Sequence, residues 1–263
     1  MIPIETAETD TFEMRYFRFG EGGKPMVIIP GLSLKSVMDS ADAVAAAYSA
    51  FKQDFTVYVF DRRSKLPERY TVRDMAEDTA GAMRTLGIQG AYIFGTSQGG
   101  MIAQLIAAHY PELAAKLVLG STAARLSEQS RAGIADWTRL AESGDTNALV
   151  QTFSKAVYSP AFCEKFRSAF DALSKMVTAD EMKRFTVLAS GLEDFDITAD
   201  IADIRCPVLV IGAGEDHVLG AEASRDIAEI TGGELYIYPE GSHAAYDEEP
   251  DYKDRILGFF AKD

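Results

Sequence analysis

The 263-residue chain is 47% hydrophobic and 25% charged, a composition that suits a soluble globular α/β domain with room for an insertion. Its formal net charge of −14 repels phosphate backbones and anionic lipid, which argues against nucleic-acid and membrane partners. Two cysteines, Cys163 and Cys206, offer neither a disulfide framework nor metal-ligand spacing, so no metal or cofactor is expected and the setting is expected to be reducing and cytoplasmic.

The first residues, Met1-Ile2-Pro3-Ile4-Glu5, are acidic and lack the basic-then-apolar order of a targeting segment. Residues 12–19 alternate bulky and polar side chains, with Phe12, Met14 and Tyr16 on one side, and predict a half-exposed strand. After a glycine-rich turn, Met26-Val27-Ile28-Ile29 is a continuous apolar run, the pattern of a strand covered on both faces. An alanine-rich stretch over 36–52 predicts a helix, and 55–60 a further strand closed by Asp61-Arg62-Arg63. Thr71 with Asp74 predicts a capped helix reaching Leu86, where Gly87 stops it. Strand 91–94, a helix ending at His109 and strand 116–119 follow, giving a β-α-β rhythm that implies a parallel sheet.

From Ala123 to Asp196 the pattern is helical throughout. Apolar stripes run over Ile134, Trp137 and Leu140; Leu149, Val150, Phe153 and Val157; Phe162, Phe166, Phe170 and Leu173; and Met182, Phe185 and Leu188 behind a Thr178-x-x-Glu181 box. The aromatic side chains either pack helix on helix or face a ligand. Strands 208–211 and 234–238, with helices over 221–230 and 252–260, complete the rhythm.

Gly95-Thr96-Ser97-Gln98-Gly99-Gly100 stands between an apolar strand and a small-residue helix. The pattern G-x-S-x-G describes a sharp strand-to-helix turn that exposes a serine hydroxyl. A serine needs a base, and the base needs an orienting carboxylate. Asp216 and His243 follow later strands, in the order Ser, Asp, His expected for this turn. Of the other histidines, His109 lies about three turns along the helix after Ser97 and reads as structural, while His217 is adjacent to Asp216 and poorly placed to bridge it to the serine. Oxyanion donors are expected from the backbone N–H of Gln98, at a helix N-terminus, and of Leu32, after the Met26 strand.

With those residues in place the chain resembles an α/β-hydrolase-fold protein with a helical cap. The carriers are the serine turn, the Cys206-Pro207-Val208-Leu209-Val210-Ile211-Gly212 strand with Asp216, and Gly241-Ser242-His243. The resemblance implies a mostly parallel eight-stranded sheet, with a cap inserted after the sixth strand. It divides the chain into a core of residues 1–122 and 197–263 and a cap of 123–196. It also implies Ser97, Asp216 and His243 as the triad. Pro30-Gly31 stands where many members carry His-Gly, and Arg62-Arg63-Ser64-Lys65 replaces a glycine-rich turn. The elbow serine argues against the haloalkane dehalogenase and epoxide hydrolase branches, which use aspartate there.

The expected activity is hydrolysis of an ester or lactone of a small, largely apolar molecule, with Trp137, Phe153, Phe162 and Phe185 as candidate lining. Two alternatives use the same features: carbon–carbon bond hydrolysis or cofactor-free perhydrolysis, and a ligand-sensing or partner-binding protein that keeps the fold.

Overall fold

A computed structural model describes residues 1–262. Eight strands form one sheet: β1 (Ile4–Glu8), β2 (Glu13–Phe19), β3 (Lys24–Ile29), β4 (Phe55–Arg63), β5 (Ala91–Thr96), β6 (Ala114–Gly120), β7 (Val208–Glu215) and β8 (Glu234–Ser242). The spatial order is β1-β2-β4-β3-β5-β6-β7-β8. β1, β2 and β4 pair antiparallel, and every pair from β4 to β8 is parallel. The apolar runs read as continuous in sequence, but they split by the two-residue strand period. Val27 and Ile29 join the core on one face, and Met26 and Ile28 the core on the other. Val208 and Val210 divide from Leu209 and Ile211 in the same way.

The described helices are α1 (Ala41–Ala47), α2 (Val72–Thr85), α3 (Gln98–His109), α4 (Glu128–Ser143), α5 (Thr146–Val157), α6 (Pro160–Lys165), α7 (Arg167–Met176), α8 (Ala179–Ser190), α9 (Ala221–Thr231), α10 (Ala245–Glu248) and α11 (Tyr252–Phe260). Helices α2, α3 and α9 bury their apolar stripes in the first core, whereas the α1 segment and α11 cover the second. Both sequence-read capping boxes form, Thr71 with Asp74 on α2 and Thr178 with Glu181 on α8. Helices α4 to α8 lie between β6 and β7. The ends of this insertion meet in an antiparallel bridge, Arg125 opposite Asp196, and the Ile197 N–H donates to the Ala124 carbonyl at 2.8 Å. No helix among the described residues is long and apolar enough to cross a membrane.

Two local expectations are corrected. The stretch 36–52 is not one helix: a 3-10 turn over Val37–Ser40, α1, and a second 3-10 turn over Ser49–Phe51 share it. Met38, Tyr48 and Phe51 are buried against the sheet while most of the alanines remain accessible, so docking of the large side chains overrides alanine's helical preference. The stripe from Phe162 to Leu173 breaks at Phe166 into α6 and α7. Edge strand β1, which has no signature in the apolar pattern, has only Ala7 buried.

Asp200 ties the insertion's exit to α2 and α3. Arg73 grips both its carboxylate oxygens, at 2.9 and 2.8 Å, and His109 Nε2 lies 2.8 Å from Oδ1. The Arg73 hydrogen bond outweighs burial, and with His109 it holds the Asp200 pKa down at about 2. A depressed carboxylate pKa adds stability above its unfolded value near 4, and that stability drains away as pH falls toward the folded value. Asp200→Asn is expected to lose about 1 kcal/mol at pH 7 after allowance for solvent screening, with the gap closing between pH 4 and 2. Urea unfolding across that pH range checks it; a gap that stays constant with pH contradicts it.

Candidate active site

In the sheet order the chain leaves β3 toward β4 on one side, then re-enters at β5 on the other. Such a reversal splits the crossovers and opens a crevice beyond the carboxyl ends of the two central strands. The loop after β3 and the turn after β5 meet there.

Ser97 sits on that turn with φ 51° and ψ −124°, a region that costs a non-glycine residue of order 1–3 kcal/mol. Its backbone is held on several sides. The Ser97 N–H donates to the Gly120 carbonyl at 2.9 Å, and its carbonyl accepts from Thr122 Oγ1 at 2.7 Å and from the Gly100 N–H at 2.9 Å. Gln98 opens α3, so its N–H is among the first-turn donors that have no partner within the helix. Close packing requires the flanking glycines. A Cβ on Gly31 would stand 3.0 Å from the Ser97 Cβ, which puts the Pro30-Gly31-Leu32 loop directly against the serine. A Cβ on Gly99 would stand 1.9 Å from the Ile29 carbonyl oxygen. Gly99→Ala must therefore push α3 off the end of β3. It is expected to cost about 3 kcal/mol in chemical unfolding, a magnitude typical of overpacking; an unchanged midpoint contradicts the packing argument.

β7 and β8 stay paired as far as Glu215 opposite Ser242, so the next residues emerge side by side. His243 Nδ1 lies 2.8 Å from Asp216 Oδ2, and both side chains are buried. Asp216 Oδ1 accepts from the N–H groups of Val218 at 2.8 Å and Leu219 at 2.9 Å. Burial alone would raise the Asp216 pKa. The His243 charge and hydrogen bond, with the two backbone donors, outweigh it and hold the carboxyl below its usual range.

Ser97 and His243 open onto one cavity of about 460 Å³, within the size range of small-molecule sites. Its wall includes Leu32, Gln98, Trp137 and Phe153, with Ile134, Val150, Leu173 and Leu219 among the aliphatic remainder. Lys35 and Asp247 add charge to it. Two candidate lining residues lie elsewhere. Phe185 is fully buried with its ring 5.9 Å from that of Phe153, so it backs the wall rather than forming it. Phe162 stacks between Tyr158, at 4.6 Å, and Phe166, at 4.4 Å. His217 is exposed and outside the wall. Among the described residues no group of three or more His, Cys, Asp or Glu side chains is arranged to hold a metal ion.

In sequence, Asp61-Arg62-Arg63 closes the strand over 55–60, and Arg62-Arg63-Ser64-Lys65 stands in place of a glycine-rich turn. In the fold, Asp61 and Arg62 are the buried end of β4. Arg62 Nη2 donates to the Pro30 carbonyl at 2.8 Å and to Gln98 Oε1 at 3.1 Å. Burial lowers its pKa to about 10, against the pull of Asp61, so the guanidinium stays protonated at neutral pH. The usable signal was a charged pair running on without a break from an apolar strand.

A largely parallel eight-stranded sheet with a serine on a strained strand-to-helix turn defines the architecture of an α/β hydrolase. A family model for the alpha/beta hydrolase fold matches residues 24–250, and the chain belongs to that family. A RutD chain of Serratia proteamaculans, provisionally described as a carbamate hydrolase, is 26% identical over 89% of this chain and 92% of its own. The 3-oxoadipate enol-lactonase 2 of Acinetobacter baylyi is 24% identical over 94% of this chain and 92% of its own. The crystal structure of MGS-M2, an alpha/beta hydrolase enzyme from a deep-sea metagenome library of the Medee basin, superposes with a TM-score of 0.90. It is 24% identical and covers 98% of each chain, a likeness of fold.

Proposed function

We propose that the protein is a serine hydrolase that cleaves an ester or lactone of a small, largely apolar molecule through an acyl-enzyme. The observation that carries this reading is the buried His243–Asp216 pair at 2.8 Å, with His243 and Ser97 both opening onto one apolar-walled cavity. In this reading Ser97 Oγ attacks the carbonyl carbon and His243 Nε2 takes its proton. Asp216 fixes the imidazole tautomer and balances the imidazolium charge. The N–H groups of Leu32 and Gln98 receive the developing oxyanion. His243 then protonates the leaving oxygen, activates a water, and the acid departs.

Residues 123–196 act as the cap in this reading, and Trp137 and Phe153 shape its apolar side. A lactonase relative fits the same chemistry, since a cyclic ester differs only in keeping its alcohol attached. The wall of the cavity is mostly aliphatic and aromatic, so affinity is expected from apolar area.

The test is a panel of acyl esters and lactones of graded chain length, run beside a fluorophosphonate probe. Turnover that rises with apolar acyl length, together with labelling abolished in Ser97→Ala, is the expected result. Wild-type protein that neither turns over the panel nor takes the label contradicts the reading.

A further inference from the structure

Arg62 is a buried cation whose Nη2 faces two neutral oxygens, the Pro30 carbonyl and Gln98 Oε1. Burying a guanidinium carries a desolvation penalty that an apolar side chain of similar volume avoids. The place where this charge is spent is specific. Pro30 opens the loop that carries the Leu32 N–H, and Gln98 carries the other proposed oxyanion donor on its own backbone. One nitrogen therefore spans the loop after β3 and the turn after β5. These are the two elements whose separation sets the width of the oxyanion site.

The contacts around Arg62 extend this bridge. Gln98 Nε2 donates to the Leu188 carbonyl of α8 at 2.8 Å, so the Gln98 side chain is gripped at both ends. Asp61 accepts from the Arg62 backbone N–H at 2.7 Å, from the Ser36 hydroxyl and from the Arg184 guanidinium. Lys35 pairs with Glu181 at 2.8 Å. Glu181, Arg184 and Leu188 are spaced to lie along one face of α8, and each meets a different core element: the loop after β3, the end of β4, and the turn after β5.

We propose that Arg62 is a positioning residue that sets the spacing of the two oxyanion donors, acting through the Pro30 carbonyl and the Gln98 side chain. This rests on the serine-hydrolase reading and on Leu32 and Gln98 as its donors. A charge-assisted hydrogen bond to the Pro30 carbonyl fixes the plane of the peptide just before the one that carries the Leu32 N–H. Without it the loop can turn that donor away from the oxyanion while Ser97, His243 and Asp216 stay in place. The loss then falls on the transition state and spares substrate binding.

Arg62→Met and Arg62→Lys, with folding checked by calorimetry, test this on whichever ester the wild-type protein hydrolyses best. A trifluoromethyl ketone of matching chain length is the second probe. Ser97 Oγ bonds to its carbonyl carbon, His243 takes the hydroxyl proton, and the carbonyl oxygen becomes an oxyanion. The plain methyl ketone is the control that forms no such adduct.

Arg62→Met is expected to lower kcat about 100-fold, the scale of one misplaced oxyanion donor, with KM within about threefold. Trifluoromethyl ketone affinity should fall by a similar factor and methyl ketone affinity should not. Arg62→Lys should recover part of the loss, because an ammonium keeps the charge and its donors but lacks the longer, rigid guanidinium that aims one nitrogen at both acceptors. If Arg62→Met does not fold, Gln98→Met removes one acceptor and keeps the backbone donor; a kcat loss of about tenfold is then expected. Either variant at wild-type kcat overturns the assignment. So does a loss in which both ketones weaken equally. Those outcomes leave ester turnover by the wild-type protein intact, whereas wild-type protein without turnover or labelling overturns the hydrolase reading and the Arg62 assignment with it.

Discussion

Ser97→Ala is expected to lower ester turnover by about 10⁴-fold or more while leaving chemical-unfolding stability within about 0.5 kcal/mol of the wild-type protein. The two halves of this expectation have separate grounds. The Ser97 side chain is half-buried at the cavity wall and adds little to the core, so its removal leaves no large void. The hydrogen bonds that hold the turn are made by the Ser97 backbone, and alanine retains them. What is lost, in the proposed mechanism, is the hydroxyl whose proton His243 takes. Steady-state kinetics beside urea unfolding separate the two. Retention of more than about a tenth of the activity would place the nucleophile elsewhere.

Asp216→Asn is expected to cost about 10³- to 10⁴-fold in kcat with the fold intact. Asparagine can keep its oxygen on the Val218 and Leu219 N–H groups, which Asp216 Oδ1 now serves at 2.8 and 2.9 Å. Its amide nitrogen then faces His243 Nδ1 as a donor. The imidazole must turn Nδ1 into an acceptor and carry its proton on Nε2, the wrong tautomer to accept from Ser97. Asp216 lies below the usual carboxylate range, so the wild-type carboxylate stays ionised across mildly acidic and neutral pH. The variant's deficit should accordingly hold through that range. A deficit below about tenfold at pH 7 would contradict the orienting role.

The sheet was legible because both of its faces are covered by helices, which leaves its strands as uninterrupted apolar runs such as Met26 to Ile29. The serine turn was legible because Gly95 and Gly99 answer to close contacts that any side chain would violate. Asp216 and His243 were legible as residues just past strand ends. Their meeting depends on β7 and β8 staying paired to Glu215 and Ser242, beyond the apolar runs that announced them. The cavity wall was harder to read. Phe162 and Phe185 share the helical spacing of Trp137 and Phe153, and spacing alone cannot say which ring meets a helix and which a cavity. Arg62 escaped for a different reason. A charged pair after an apolar run reads as the close of a strand, and only tertiary contact with Pro30 and Gln98 gives a buried guanidinium its acceptors.

The acyl-enzyme itself offers the most direct measurement. Wild-type protein is mixed with the best ester of the panel, quenched in acid during the pre-steady-state burst, digested and weighed by peptide mass spectrometry. One acyl group is expected on the peptide that contains Ser97, decaying at the rate of turnover. Sustained turnover with no acyl group on that peptide, or with the acyl group on another residue, would contradict the proposed mechanism.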